Sequence, residues 1–458
     1  MTASQRELMD SVDHAWLRME GPNNLMMIGV VLIFDDKLDM VQLRSVLQTR
    51  LIDKYDRFEQ VVVNDQGKDY WQLDPSFSLE NHLVTVDFPA GGNKKDLQKS
   101  ASQINSMALA TDRPLWCIHH IESYKNGSAL IFRIHHCIAD GMALVRLIIS
   151  LTDESPGEMP TDDNSSDLCM DKPTGGAGSN HHESLRDLIG HPSHIIDALK
   201  HGVSGAEELA AVTVRPSDPK TSLKGTLTGN KKVAWSDPFP LHDVKFIGKK
   251  LGATVNDVLM AAATGALRTH LMRAAEDVTG KTLHAAVPFN LRAVDADIEK
   301  LGNQFGLVIV PLPIGVEEPL KRLQAVKKGM DKIKHSYQAQ VFFFLLQVLG
   351  KGPSVLEQTA LDILSKKASL VMTNVPGPKK QLYLAGAKLN QPLAWVPQSG
   401  DIGVGLSILT YNDTVQFGLV ADSALIDDLD EVAELFVAEF RKLEILINGE
   451  LHVEPKGV

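Results

Sequence analysis

Two hydrophobic rhythms alternate along the first third of the chain. Met26 to Phe34 is a β-rich apolar run ended by Asp35 and Asp36, the pattern of a buried strand. Leu43, Val46, Leu47 and Leu51 then recur at helical spacing and predict a helix over Val41 to Leu51. Val61 to Val63 and Tyr70 to Leu73 flank the turn residues Asn64-Asp65-Gln66-Gly67, which predicts a hairpin. A helix over Lys95 to Ala110 follows. Strands over Trp116 to Ser123 and Ala129 to Ile134 are joined through Lys125-Asn126-Gly127-Ser128, and a buried helix runs from Met142 to Ile149. His135 to Gly141 therefore sit between a strand and a helix.

The pattern then breaks. Asp153 to Glu183 is rich in Asp, Ser, Pro and Gly and lacks the apolar residues that offset ordering entropy, so it reads as a flexible linker. Ser184 to Thr213 regains amphipathic spacing through Leu185, Leu188, Ile189, Ile195, Ile196 and Leu199, as one or two bridging helices do. A second α/β stretch starts near Leu223. It reads as a strand at Lys232 to Trp235, helices over Leu241 to Leu251 and Val255 to Ala274, and strands over Leu283 to Pro288 and Phe305 to Leu312. One long helical stretch is expected from Pro319 to Gly350, with proline at a fitting first-turn position. Strands at Leu370 to Asn374, Asp401 to Tyr411 and Thr414 to Ala421 follow, the last two joined by Asn412-Asp413, before a closing helix over Asp427 to Leu446.

Size and composition sharpen this division. The 458 residues exceed what one core usually holds, so two subdomains are expected at 1–152 and 223–458, with 153–222 between them. The hydrophobic fraction of 44% and charged fraction of 22% are those of a globular chain. A net charge of −11 without a basic block speaks against nucleic-acid binding, which needs clustered Lys and Arg. Cys117, Cys137 and Cys169 form no disulfide framework or metal-ligand spacing, which fits a reducing cytoplasm. Residues 1–20 are mixed and charged, without the apolar region of a signal peptide. No stretch reaches the ~20 apolar residues that span a bilayer.

His135-His136-Cys137-Ile138-Ala139-Asp140-Gly141 carries the sharpest chemistry. An imidazole between strand and helix can sit at a sheet edge facing a cleft. Its unperturbed pKa of ~6.5 lets the neutral ring accept a proton at physiological pH. A hydroxyl is a poor nucleophile until a base takes its proton during attack. A thioester carbonyl is then a fitting electrophile, and the tetrahedral oxyanion needs a donor. Asp140 can fix the loop or pair with an arginine. Gly141 permits close backbone approach or a positive φ. Two other uses stay open: the paired histidines can be structural, or can hold a metal with Asp140. Adjacent strand residues point to opposite faces, which counts against a shared metal, and His119-His120 add no recognised ligand spacing.

The HHxxxDG pattern resembles the signature of the superfamily that contains chloramphenicol acetyltransferase and the condensation domains of nonribosomal peptide synthesis. Within it, the chain resembles the bacterial wax ester synthase/diacylglycerol acyltransferase family over most of its length. Ser11-Val12-Asp13 with Trp16-Leu17, and then Met26 to Phe34, resemble the N-terminal block, and Pro114-Leu115-Trp116 the PLW block. Asn256-Asp257-Val258-Leu259-Met260-Ala261 resembles the NDVVLA block, departing at Leu259 and Met260. Asn290-Leu291-Arg292, Gly302-Asn303-Gln304, Asn374-Val375-Pro376-Gly377-Pro378 and Gly403 to Asp422 resemble the C-terminal blocks. The ordered set is specific for the family and less so for the substrate.

The resemblance implies a mixed α/β (α+β) fold of two chloramphenicol-acetyltransferase-like subdomains, with mixed sheets and helices around an interdomain tunnel. It carries the general base onto His136 and leaves His135 and Asp140 mainly structural roles. Arg292 is the expected partner of Asp140, because superfamily members tend to pair this aspartate with an arginine. Asn256 would line the tunnel, although Asn256-Asp257 equally suits a helix start with acidic first-turn charge. Pro114, Leu115 and Trp116 would wall the acceptor pocket, beside a plain core reading. Asn374 to Pro378 reads as a rigid turn at the cleft mouth. The run Phe342 to Leu346 reads as core or acyl-tunnel lining, and any membrane or lipid-droplet contact as peripheral.

The implied activity is acyl transfer from acyl-CoA to a long-chain fatty alcohol or diacylglycerol, giving wax ester or triacylglycerol. No metal and no cofactor beyond the coenzyme A thioester substrate is expected. Two rivals stand beside it. One is a condensation-type enzyme using carrier-protein thioesters, for which the chain shows no carrier or adenylation modules. The other is a catalytically inactive protein that binds lipid or acyl-CoA, which the intact motif disfavours.

Overall fold

The computed structural model describes residues 6–156, 216–291, 302–334, 336, 338–352 and 354–451. The expected linker and bridging helices, and Arg292, fall wholly or largely outside these residues. The first half contains strand β1 (Arg6–Leu8), helix α1 (Ser11–Arg18), β2 (Met27–Phe34), α2 (Met40–Leu47), β3 (Gln60–Asp65), β4 (Lys68–Leu73), β5 (Leu83–Thr85), α3 (Lys94–Asn105), β6 (Trp116–Tyr124), β7 (Gly127–His135) and α4 (Gly141–Ser150). The second begins with β8 (Lys231–Trp235), β9 (Phe239–Pro240), α5 (Leu241–Leu251), α6 (Val255–Arg273), β10 (Leu283–Asn290) and β11 (Phe305–Leu312). Three helices follow, α7 (Pro319–Lys334), α8 (Gln338–Lys351) and α9 (Ser354–Ser365). The chain then runs through β12 (Leu370–Val375), β13 (Tyr383–Leu384), β14 (Ala387–Trp395), β15 (Val404–Tyr411), β16 (Thr414–Asp422) and α10 (Leu429–Leu451).

Among the described residues the strands form three sheets. The six-stranded sheet has the order β13-β14-β2-β7-β6-β5, and the larger sheet runs β11-β10-β12-β15-β16-β8, with β9 beside β16. Both are mixed: β5 pairs parallel with β6, as β12 does with β10 and β15, and the other pairs are antiparallel. A small sheet β1-β4-β3 flanks the first half. β2 and β7 are buried at every position, as befits strands covered on both faces. One face packs with α2 and α4 around Leu43, Leu47, Leu130, Phe132 and Leu147. The other meets α3 and the second sheet through Val31, Leu97, Ile131, Trp235 and Trp395.

Four expectations change. The cut at residue 223 is not spatial, because β13 and β14 return to the first sheet, where Gly29 to Phe34 pair with Trp395 to Leu389 across one register shift. β2 is buried throughout, so its backbone donors and acceptors need partners on both edges, and β7 and β14 supply them. The single helix expected over Pro319 to Gly350 is two helices, α7 and α8, with α9 after them. α3 stops at Asn105 rather than near Ala110: Ser102, Asn105 and Ser106 all bond back to carbonyls of the preceding turn, which loosens a helix end. α1, unread in the sequence, is capped by Asp10, whose carboxylate accepts from the Val12 amide.

α8 holds α1 in place. Arg18 donates to the carbonyls of Leu349 and Gly352, and His14 Nδ1 lies 2.8 Å from the Gly350 carbonyl. A basic group there meets the negative end of the helix dipole. Gly350 is required by contact, since a Cβ would lie 1.7 Å from the Ser11 carbonyl oxygen. The expected apolar run serves this packing: Leu346 is buried in the first core and Phe342 and Phe343 lie against it. Among the described residues, no helix is long and apolar enough to cross a membrane.

Candidate active site

The motif begins where β7 ends. His135 closes the strand opposite Met27, and the His136 amide donates to the Met26 carbonyl at 2.7 Å. Successive strand residues face opposite ways, and the two rings do so here. His135 Nδ1 accepts from the Cys137 amide at 3.1 Å, so its proton sits on Nε2, 3.1 Å from the Glu20 carboxylate. Burial works to raise the Glu20 pKa, but His135 and the Met26 amide outweigh it and hold the carboxyl below its ordinary value. His135 thereby fixes the entrance of β2.

The His136 ring turns to the junction of the two halves. It stacks on Trp16 of α1, with centroids 4.1 Å apart and planes 21° from parallel, and Phe305 at the start of β11 lies 5.4 Å away. Burial among these rings lowers its pKa to about 4, outweighing the pull of Asp140, of its own carbonyl and of Asn303. The imidazole is therefore neutral at physiological pH. Its Nδ1 is buried without a hydrogen-bond partner among the described residues. The Cys137 thiol beside it is pushed far up by burial, a poor setting for a nucleophile.

The second half grips the motif through Gly302-Asn303-Gln304. The Asn303 amide nitrogen donates to the His136 carbonyl at 2.7 Å and to Asp13 Oδ1 at 2.8 Å. Gly302 bridges Ala139, its amide donates to the Ile138 carbonyl, and its φ of +111° suits glycine. Burial pushes the Asp13 carboxyl up to about 7 despite the Asn303 bond. Asp140 caps α4, accepting from the Ala143 amide at 2.9 Å, while its other oxygen accepts from the Gln304 amide at 3.1 Å. Through Gln304 it joins the two halves.

Gly141 departs from its expected role. It is the first residue of α4, its φ is not left-handed, and an added Cβ would meet nothing within 4 Å. The missing side chain leaves open space beside the motif.

The other expected residues divide. Asp257 makes the capping box of α6 with Thr254. Asn256 accepts from the Asn374 side chain at 3.0 Å and so ties the α6 start to the end of β12. Pro114, Leu115 and Trp116 are buried. The Leu115 carbonyl accepts from the His135 amide, which links this block to the motif. Trp116 stacks on His82 at 4.4 Å and donates to the Phe58 carbonyl at 2.9 Å, as a core residue does. Among the described residues, no three His, Cys, Asp or Glu side chains gather as a metal-ligand set. The residues without an assigned role in the sequence reading are Asp13, Trp16, Glu20, Asn303 and Phe305.

The chain matches known proteins over most of its length. Residues 9–259 match the wax ester synthase/diacylglycerol acyltransferase catalytic domain, and residues 301–444 the C-terminal domain of the same family. A probable diacylglycerol O-acyltransferase, tgs1, of Mycobacterium tuberculosis is 28% identical over 377 residues, covering 81% of this chain and 80% of that protein. The O-acyltransferase WSD of Acinetobacter baylyi is 26% identical over 407 residues, covering 82% and 84%. The solved wax ester synthase/diacylglycerol acyltransferase of Marinobacter aquaeolei VT8 superposes with a TM-score of 0.71 at 23% identity, over 96% of this chain and all of the other. That likeness is one of fold.

Proposed function

The chain belongs to the wax ester synthase/diacylglycerol acyltransferase family, and on that premise we propose that it carries fatty acyl groups from acyl-CoA to the hydroxyl of a long-chain alcohol or a diacylglycerol, with His136 as general base. It is an acyltransferase making neutral lipid. The observation that carries the mechanism is the placement of the His136 ring between Trp16 and Phe305 where the two halves meet, in surroundings whose burial favours its neutral form.

His136 Nε2 takes the hydroxyl proton as the oxygen attacks the thioester carbonyl carbon. The tetrahedral oxyanion then collapses and the carbon–sulfur bond breaks. The leaving thiolate recovers the proton from Nε2, so the enzyme ends as it began. Coenzyme A is a substrate and leaving group, and no metal or resident cofactor enters these steps. Asp140 positions the loop through α4 and Gln304. Asn256 and the Pro114-Leu115-Trp116 block act on substrate from outside this first contact, through the helix start and the strand they hold. Both the acceptor and the product are nearly water-insoluble, so the protein works in peripheral contact with a lipid surface.

Thiol release from palmitoyl-CoA tests this, with hexadecanol and dioleoylglycerol as separate acceptors for wild type and His136→Ala. Acceptor-dependent release in wild type and its loss in the variant are expected, and the two rates assign the preferred acceptor. A folded variant that keeps the wild-type rate removes His136 as the base.

A further inference from the structure

α1 carries Trp16 onto the His136 ring, yet a helix this short does not hold its own shape in water. Its position is set by the groups that grip it. Arg18, its last residue, donates to the carbonyls of Leu349 and Gly352 at the end of α8. His14, one turn earlier, grips two elements at once. Its Nδ1 lies 2.8 Å from the Gly350 carbonyl of α8, and its Nε2 lies 3.0 Å from the Asp69 carboxylate of β4. The side chains of His14 and Asp69 are only 18% and 13% exposed, so water competes little for either contact.

Both partners of the ring are acceptors. A backbone carbonyl has no proton to give, so Nδ1 carries one. Asp69 accepts at its other oxygen too, from the Asn64 amide at 2.7 Å. A proton placed between a carboxylate and an imidazole stays on the imidazole, ordinarily the stronger base. The closed clamp therefore needs an N–H on both ring nitrogens, which is the imidazolium cation. A neutral ring keeps one contact and turns a lone pair towards an oxygen at the other. The remaining charged groups of these three elements have other tasks. Asp10 accepts from the Val12 amide, Asp13 from Asn303, and Arg18 holds the α8 carbonyls. Lys68 of β4 and Lys351 of α8 are exposed, and Tyr70 of β4 faces the opposite side of its sheet from Asp69.

We propose that His14 is a positioning residue: as an imidazolium it locks α1 between β4 and the last carbonyls of α8 and so seats Trp16 against His136, and its deprotonation as pH rises loosens that seat and slows acyl transfer. The proposal rests on the acyltransferase reading above for the rate that is controlled, whereas the charge on the ring does not depend on it. Arg18 keeps its two bonds whatever the state of His14, so a neutral ring tilts α1 without releasing it. The base itself gains nothing by this device, because His136 is neutral on both sides of the transition. Asp13 also ionises as pH rises, near about 7, but it does so in wild type and in a His14 variant alike. The ratio of their rates therefore isolates His14.

The test compares the full chain with its His14→Gln variant, which keeps one donor and no charge and so stands for the neutral ring at every pH. Thiol release from palmitoyl-CoA with hexadecanol is followed from roughly pH 5.5 to 9, the range in which histidines titrate. At the acid end kcat should be about tenfold lower in the variant, with the KM for palmitoyl-CoA alike in both. The two rates should converge at the alkaline end. Asp69→Asn removes the opposite charge and should bring that convergence to lower pH. Nitrogen-15 NMR of histidine-labelled protein reads the ring directly, its signals identified by their loss in His14→Gln. Both ring nitrogens should carry protons near about pH 6, and one should lose its proton over the range in which the rates converge. Should His14→Gln fail to fold, Asp69→Asn and the wild-type spectra carry the test. A rate ratio that is constant across the range, or a ring already neutral near about pH 6, overturns the proposal. Wild type whose His14 ring is doubly protonated but which releases no thiol at any pH would sink the acyltransferase reading and leave the charged clamp standing.

Discussion

Asn303 spends both protons of its side-chain amide at the site, one on the His136 carbonyl and one on Asp13. These bonds hold the backbone of the motif and Asp13, so its removal should misplace the ring without abolishing the base. Asn303→Ala should lower kcat roughly 10- to 100-fold, with little change in KM for acyl-CoA, since small displacements of a catalytic group are expensive in rate. Steady-state kinetics on folded variant protein checks the split. Burial makes a second prediction. The His136 pKa is lowered to about 4, and a base is active only when neutral. kcat/KM should therefore stay level as pH falls through 6.5 and decline only towards about 4. An acid limb with a midpoint near 6.5 would mean a solvated ring. Asp13 runs the other way: its carboxyl is pushed up from 3.8 to about 7, so the folded state holds a proton that the unfolded state has released. The stability this gives is complete below 3.8 and lost as pH rises through about 7. Asp13→Asn, which cannot ionise, should gain stability relative to wild type between pH 5 and pH 8 in denaturant melts. His136 and Asp140 were singled out in the sequence through the resemblance of HHxxxDG to a known signature; the strand–loop–helix setting by itself left structural and metal uses open. Trp16 and Asn303 had no role there because their partners lie over a hundred residues away, and no local rhythm reports such a contact.

Helices α2, α5, α6 and α10 were read from the chain with small errors at their ends. α1 was not, although Asp10 and the spacing of Val12, Ala15 and Trp16 are a readable cap and stripe. Its eight residues are too few to hold a helix in water, and docking supplies the difference. That docking is close: the Ser11 carbonyl lies where a Cβ of residue 350 would be. Gly350→Ala should force α1 away from α8 and destabilise the protein by about 1–3 kcal/mol, the usual range for overpacking. Because α1 carries Asp13 and Trp16 to the active site, activity should fall further than the loss of folded protein explains. Melting temperature and specific activity measured on the same preparation separate the two effects.

At the level of the whole molecule, the two-part division expected from length and composition is crossed in space. Apolar alternation marks each strand and says nothing of its partner, so the return of β14 to the first sheet could not be read from Ala387 to Trp395 alone. That return has an energetic consequence. Were β14 to undock, one edge of β2 and β14's own Leu389, Leu393 and Trp395 would lose their cover, and an exposed apolar edge strand is an aggregation hazard. The active site adds a second bond between the halves, since Asp140, Ala139 and the His136 carbonyl all meet the segment Gly302 to Gln304. The cores of the first half are completed by residues of the second, among them Phe305, Leu346 and Leu384 in one and Trp235 and Trp395 in the other. The chain should unfold in one cooperative step despite its length, with the calorimetric enthalpy close to the van't Hoff value and coincident transitions by tryptophan fluorescence and far-ultraviolet circular dichroism. Two resolved transitions would show instead that β14 is a docked appendage, and that the halves keep separate stabilities joined only at the catalytic loop.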